Sequence, residues 1–248
     1  MKANILFIFI SISCIKCNSQ QLTTEKTVTK KFYTFKNASE DGIGKFYYGR
    51  EIAHVMGAGG SSWLERSDRN REENTNMAIA KIKLPINGVI ADIGAGTGYY
   101  SFKLAVKVPH GKVYAVEVQD EFITYLKNKK QTLRDSVVEI IKGSELSPNL
   151  AANSVDLAIM VDVYHELEYP HEMLESLFKV LKKDGKILLI EYREEDPEVA
   201  IKALHKTTVA QLKKELYANG FKLNFQGEFL PMQHFLLYEK IKHEKTFN

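Results

Sequence analysis

Val89-Ile90-Ala91-Asp92-Ile93-Gly94-Ala95-Gly96-Thr97-Gly98 is a short apolar run that passes straight into a glycine-rich loop. Glycines at such a junction let the backbone turn sharply and approach a ligand with no side chain in between. A dinucleotide loop of the form G-x-G-x-x-G needs its third glycine at position 99, which is Tyr99, and no Gly-Lys-Ser or Gly-Lys-Thr follows to make a phosphate-binding P-loop. The spacing is G-x-G-x-G, with Asp92 two residues ahead of the first glycine. A carboxylate in that position repels a pyrophosphate and suits a cationic ligand. Glu117 closes the next apolar run, where a carboxylate can accept both hydroxyls of an unphosphorylated ribose.

Outward from this loop, short apolar runs alternate with helical periodicity. Strands are predicted at 88–91, 112–118, 137–142, 155–161 and 186–191, with helices at 99–108, 121–133, after Pro170 and at 209–219. Such alternation predicts an α/β fold, a doubly wound, mostly parallel seven-stranded sheet covered on both faces. Two final strands, 221–226 and 235–241, are separated by too few residues for a helical crossover, so the last strand is expected to be antiparallel.

Ahead of Pro85, the segment 46–84 reads as a helical N-terminal cover, and 18–45, polar and rich in Thr and Lys, as a linker. Ser62-Trp63-Leu64-Glu65 fits a capping box, which predicts one helix from Trp63 that stops before Pro85. Gly57, Gly59 and Gly60 are candidate hinges for the cover, or a static turn. Residues 1–17 carry Lys2, an apolar run from Ile5 to Ile15, and Cys14 and Cys17, the pattern of an export signal. The run is shorter than the roughly 20 apolar residues of a spanning helix. A cysteine followed by Asn18-Ser19-Gln20 resembles a bacterial lipoprotein signal, with Cys14 or Cys17 as the lipid acceptor, or neither. The expected location is exported, periplasmic or lipid-anchored to the membrane, with the cytoplasm as the alternative. The remaining residues, 85–248, form the main domain.

Of 248 residues, 44% are apolar and 26% charged, and the net charge is only +3, without a run of basic residues. No electrostatic footprint for nucleic acid is present. With both cysteines in the first twenty residues, the body has no disulfide and no thiolate metal site, and no metal centre is expected.

The glycine loop, the acidic end of strand two, Ser154-Val155-Asp156-Leu157-Ala158 leading strand four, Leu181-Lys182-Lys183-Asp184-Gly185-Lys186 before strand five and the antiparallel last strand resemble, in that order over 85–241, the class I S-adenosylmethionine-dependent methyltransferases. The resemblance implies S-adenosyl-L-methionine as cofactor, with Gly94, Gly96 and Gly98 under its methionine and ribose and Asp92 at the methionine end. It implies Glu117 on the ribose diol, Val118 against adenine, Ser144 or Glu145 at the adenine edge, and Asp162 facing the sulfonium and ammonium. In this fold the acceptor lies beyond strands four and five, which makes Tyr164, Tyr192 and Arg193 candidates for substrate binding, with Tyr48 in the N-terminal cover; the alternatives are packing for the two tyrosines and a surface ion pair with Glu194 or Glu195 for Arg193. His165 is the candidate general base, its ordinary pKa of about 6.5 suiting proton removal near neutrality, although the simpler reading is that it orients the loop through a hydrogen bond. His205 and Lys206 are expected to be exposed. No Asn-Pro-Pro-Tyr or Asp-Pro-Pro-Tyr follows strand four, which favours a small-molecule acceptor over nucleic acid. The implied activity is methyl transfer; the rival is an exported binder of adenosyl nucleosides without catalysis.

Overall fold

The computed structural model describes residues 32–242. The export signal, the two cysteines and the first part of the linker lie outside those residues. Within the described residues no helix is long and apolar enough to cross a membrane.

The chain first forms a small antiparallel meander, β1 (Tyr33–Phe35), β2 (Gly42–Tyr47) and β3 (Arg50–Ala53). Three short helices follow, α1 (Ser61–Leu64), α2 (Arg69–Glu73) and α3 (Thr75–Lys81). Then come β4 (Val89–Ile93), α4 (Tyr99–Ala105), β5 (Lys112–Glu117), α5 (Asp120–Leu133), β6 (Val138–Lys142) and β7 (Val155–Val161). The chain ends with α6 (Pro170–Val180), β8 (Leu181–Arg193), β9 (Lys206–Thr207), α7 (Val209–Tyr217), β10 (Phe221–Gly227) and β11 (Gln233–Lys240).

The main sheet runs β10-β11-β8-β7-β4-β5-β6, seven strands along one path, with β9 beside β8. β6, β5, β4, β7 and β8 are parallel, whereas β11 is antiparallel to both β8 and β10, as the short final connection requires. Alternation along each strand divides the core into two layers. Ile90, Val113, Leu157, Ile159 and Leu188 pack under α3, α4 and α5. Ala91, Val116, Ala158, Met160 and Leu189 pack under α6 and α7, where Leu174, Leu177, Leu212 and Leu216 are fully buried. At about 25 cal/mol per Å² of apolar surface, two such layers account for most of what holds the sheet to its helices.

Two expectations for the N-terminal part need correction. The linker expected over 18–45 contains β1 and most of β2, and the cover over 46–84 is part strand and part helix. Polar composition hid the strands, because their apolar side is only Tyr33, Tyr47 and Ile52, closed by Phe32, Ile43 and Tyr169. The meander is held from outside itself: the Tyr33 hydroxyl donates to Glu172 on α6, and the Lys45 ammonium, 4% exposed, sits 3.3 Å from the centroid of the Tyr169 ring. The single helix expected from Trp63 is three helices instead. Ser62 lies inside α1 rather than at its cap, and the left-handed Asn74 (φ 54°) separates α2 from α3.

Candidate functional site

The chain leaves β4 toward β5 on one side and returns to β7 on the other, and a crevice opens at the carboxyl ends of these strands, where open α/β sheets bind ligands. The crevice holds a cavity of about 490 Å³. Its floor is the loop after β4. Gly94 and Gly96 have φ of 68° and 53°, and a Cβ would stand 2.8 Å from the Val163 side chain at the first and 2.9 Å from Leu64 Cδ1 at the second. Both positions therefore need glycine, which keeps the loop flush with the cavity.

Asp92, Gly94, Gly96, Glu117, Val118, Ser144, Glu145 and Asp162 all line this cavity. Glu117 ends β5 with its carboxylate inward and 3% exposure. Its Oε2 accepts from the Gly96 amide at 2.9 Å, and its Oε1 accepts from the Val118 and Gln119 amides at 2.6 and 2.9 Å. Glycine loop and Glu117 carboxylate are thus locked into one unit. Asp92 accepts from Ser101 Oγ at 2.6 Å, and burial, the dominant effect, pushes its carboxyl up to about 6. Asp162 has left-handed backbone (φ 53°), and Gln233 Nε2 donates to both its carboxylate oxygens at 2.9 and 2.8 Å. Burial, then the neighbouring Glu73 and Glu191, raise the Asp162 carboxyl well above the carboxylate range.

The wall is strongly one-signed. Asp92, Glu117, Glu145, Asp162, Glu166 and Glu168 face one guanidinium, Arg69, the only Lys or Arg among the described lining residues. Arg69 is 4% exposed, pairs with Glu73 at 2.9 Å, lies 4.0 Å from Asp162 and rests over the Tyr99 ring. Sequence reasoning missed it, since it sits in the helix broken off at Glu73 and belongs to no motif. Thr97 Oγ1, also in the wall, is buried without a hydrogen-bond partner among the described residues, a donor and acceptor left for a ligand.

Other expected residues stand outside the cavity wall. Gly98 packs beneath the loop, where a Cβ would meet Leu126 and Phe102 at 2.7 Å. Tyr48 lies at the tip between β2 and β3, 39% exposed, over the ammonium of Lys214. Tyr164 and Tyr192 are packing residues whose hydroxyls donate to Glu215 and Glu73, each at 2.8 Å. Arg193 donates to the Pro231 carbonyl and pairs with Glu228 at 3.4 Å. None of the four is placed to touch an acceptor in the cavity.

His165 is also displaced from the role expected for it. It is 1% exposed, its Nδ1 lies 2.6 Å from Glu191 Oε2, and its Nε2 lies 3.1 Å from His205 Nδ1. Burial alone would lower its pKa, but Glu191 and then Glu166 outweigh burial and hold the imidazolium up at about 10. The ring stands behind the wall with both nitrogens engaged, and His165 is not among the residues that line the cavity. Glu166, one residue on, does line the cavity, and its Oε2 accepts from the Met56 amide at 3.1 Å.

Residues 91–189, from mid-β4 into β8, match the family profile of the methyltransferase domain. A solved S-adenosylmethionine-dependent methyltransferase from Aquifex aeolicus superposes with a TM-score of 0.70 at 25% identity, covering 76% of this chain and all of that one. Among curated proteins, a tRNA(Phe) (4-demethylwyosine(37)-C(7)) aminocarboxypropyltransferase of Methanocaldococcus jannaschii is 30% identical over 158 residues, 63% of this chain and 57% of its own length. A demethylmenaquinone methyltransferase of Oceanobacillus iheyensis is 28% identical over 101 residues, 40% of this chain and 42% of its own. The chain thus spans about half the length of the curated relatives it matches. With the matched domain, the strand order and the Aquifex superposition in agreement, residues 91–189 carry a methyltransferase domain in the fold of S-adenosylmethionine-dependent methyltransferases.

Proposed function

We propose that this protein transfers a methyl group from S-adenosylmethionine to a small-molecule acceptor, and that it works outside the cytoplasm, behind the export signal read in residues 1–17. One observation carries the transfer reading. The cavity sets two buried carboxylates, Asp92 and Glu117, and the partly buried Asp162 around a glycine loop, with the Thr97 hydroxyl, unpartnered among the described residues, beside them. Burial pushes the Asp92 and Asp162 carboxyls up and Arg69 offsets this only in part, so added positive charge is favoured at this wall.

When bound, S-adenosylmethionine supplies a methyl group on a sulfonium, activated toward in-line displacement. Glu117 holds the ribose diol by its remaining lone pairs, and Asp92 and Asp162 neutralise the ammonium and sulfonium charges. Arg69 is the counter-charge for the methionine carboxylate. Val118 offers an apolar surface for the adenine, with Ser144 and Glu145 at its edge. The chain's own contribution is alignment and water exclusion, with the acceptor admitted between the β7 loop and the segment His54-Val55-Met56.

Mass spectrometry of small molecules co-purifying with the full chain, followed by an acceptor screen with methyl-labelled cofactor, tests the reading. An adenosyl ligand and a labelled product are expected. The mass gained by the acceptor separates methyl transfer from transfer of an aminocarboxypropyl group, the activity named for the Methanocaldococcus relative. Folded protein that binds neither S-adenosylmethionine nor S-adenosylhomocysteine would overturn it.

A further inference from the structure

Behind the cavity wall formed by the loop after β7, a second group of side chains converges. His165 and Glu166 lie on one turn of 3-10 helix (Tyr164–Glu166), and His205 ends another (Ala203–His205). His165 Nε2 is 3.1 Å from His205 Nδ1, His205 Nδ1 is 3.4 Å from Glu166 Oε1, and His165 Nε2 is 3.7 Å from that same oxygen. A triangle with those sides has a circumradius of about 2.0 Å, so a single point lies at the length of a zinc–nitrogen or zinc–oxygen bond from all three atoms. Tetrahedral ligands at about 2.1 Å stand about 3.4 Å apart, which is the middle of the three separations.

One N–H···N bond joins His165 Nε2 to His205 Nδ1, and the Glu166 carboxylate oxygen, 3.4 and 3.7 Å from the same two nitrogens, brings a third donor atom to them. The far atoms of two of the groups, by contrast, are tied down. His165 Nδ1 donates to Glu191 Oε2 at 2.6 Å, and Glu191 is fully buried and fixed by the Val163 and Tyr164 amides at 3.1 and 2.8 Å. Glu166 Oε2 is held by the Met56 amide. A carboxylate behind a ligating imidazole is the arrangement that sets the ring's tautomer and orientation in metal sites. Here the tied atoms are Nδ1 and Oε2, which leaves His165 Nε2 and Glu166 Oε1 as the atoms that converge with His205 Nδ1.

We infer that His165 Nε2, His205 Nδ1 and Glu166 Oε1 form a binding site for one divalent first-row transition ion of the zinc type. Two imidazoles and one carboxylate suit such an ion and not magnesium or calcium, which take oxygen ligands. Three protein ligands leave a coordination position open, and the His205 side chain is 22% exposed, so the site is reachable from solvent. The lack of cysteine in the body excludes a thiolate site only. Ion binding here is independent of the transfer reading, and it is measured without cofactor.

The full chain, stripped with a chelator, is titrated with Zn²⁺ and, as a spectroscopic probe, with Co²⁺. Cys14 and Cys17 are replaced by serine in every protein so that their thiols do not contribute. One equivalent of each ion is expected, with the visible absorption of low-coordinate Co²⁺, and Mg²⁺ does not compete. His205→Ala and Glu166→Gln, checked for folding by circular dichroism, are expected to lose roughly 30-fold or more in Zn²⁺ affinity. His205 is the better test, because its partial exposure makes the substitution mild for the fold. No binding of Zn²⁺ at tens of micromolar, or two folded variants that keep the parent's stoichiometry and affinity, would overturn the inference.

Discussion

Removing the Glu117 carboxylate separates the cofactor reading from a merely structural one. In Glu117→Ala, the Gly96, Val118 and Gln119 amides lose their acceptor in a position that is 3% exposed. Water admitted to the emptied cavity replaces part of that bonding, so the folded state is expected to lose about 1–3 kcal/mol and to survive. The effect on the ligand is separate. A ribose diol bound without its charged acceptor loses about 1–3 kcal/mol, roughly a 5- to 150-fold weaker affinity. Glu117→Gln keeps the shape but offers one acceptor oxygen and turns an amide N–H toward either Gly96 N–H or the Val118 and Gln119 N–H groups. It should fall between the parent and the alanine variant. Isothermal titration with S-adenosylhomocysteine, alongside urea denaturation of the same proteins, reads the two effects independently. Unchanged affinity in folded Glu117→Ala would remove Glu117 from the site and the ribose assignment with it.

Cofactor affinity should fall as pH drops through about 6, because the Asp92 carboxyl takes up a proton there and ceases to attract a cation; a dissociation constant flat from pH 5 to 8 contradicts this. The same raised pKa means that ionising Asp92 costs the ligand-free fold stability as pH rises from the ordinary carboxylate range through about 6, so the ligand-free chain gains from acidification at that site while binding loses. Arg69→Ala should weaken S-adenosylhomocysteine binding by about 1.5–3 kcal/mol if the guanidinium meets the methionine carboxylate, and should not discriminate against it if the group only braces Glu73. Leu177→Ala, on the buried face of α6, should cost about 2–5 kcal/mol in chemical denaturation without changing ligand affinity in the protein that remains folded. For the exported location, fractionation and N-terminal sequencing should find a shortened chain outside the cytoplasm, and full-length protein beginning at Met1 or Lys2 in the cytosol refutes it.

What was legible in the sequence was local. Asp92, the glycines and Glu117 belong to one strand–loop–helix–strand unit, where spacing along the chain dictates spacing in space, and the cofactor end of the cavity followed from it. The alternation of Leu157, Ala158, Ile159 and Met160 likewise announces a strand buried on both faces. The acceptor side failed because its residues are directed by distant partners. Tyr164 turns toward Glu215 and Tyr192 toward Glu73, so two aromatics that looked available are consumed in packing. His165 meets Glu191 and His205, 26 and 40 residues further on, and no pattern around His165 records either. The meander was missed for the same reason, since its buried tyrosines are covered by Tyr169 and by Glu172 of the helix that follows it, more than a hundred residues later.

Arg50 gives that distance a consequence for how the chain assembles. Its guanidinium grips Glu215 of α7 through two bonds of 2.9 and 3.0 Å across 165 residues of chain, and it also donates to the His165 carbonyl at 3.1 Å. Arg50 and Glu215 are both almost wholly shielded from water, and either one left alone in that interior would be strongly unfavourable. During synthesis, therefore, the meander cannot settle until α7, some 165 residues further along the chain, has emerged. Closing so large a loop makes their docking a late, non-local event in folding. His54, Val55 and Met56 follow directly on β3, so the cavity acquires its outer wall only at that final step. A folding intermediate with the sheet formed and the meander undocked would carry the glycine loop, Asp92 and Glu117 in place, yet leave the pocket open to solvent.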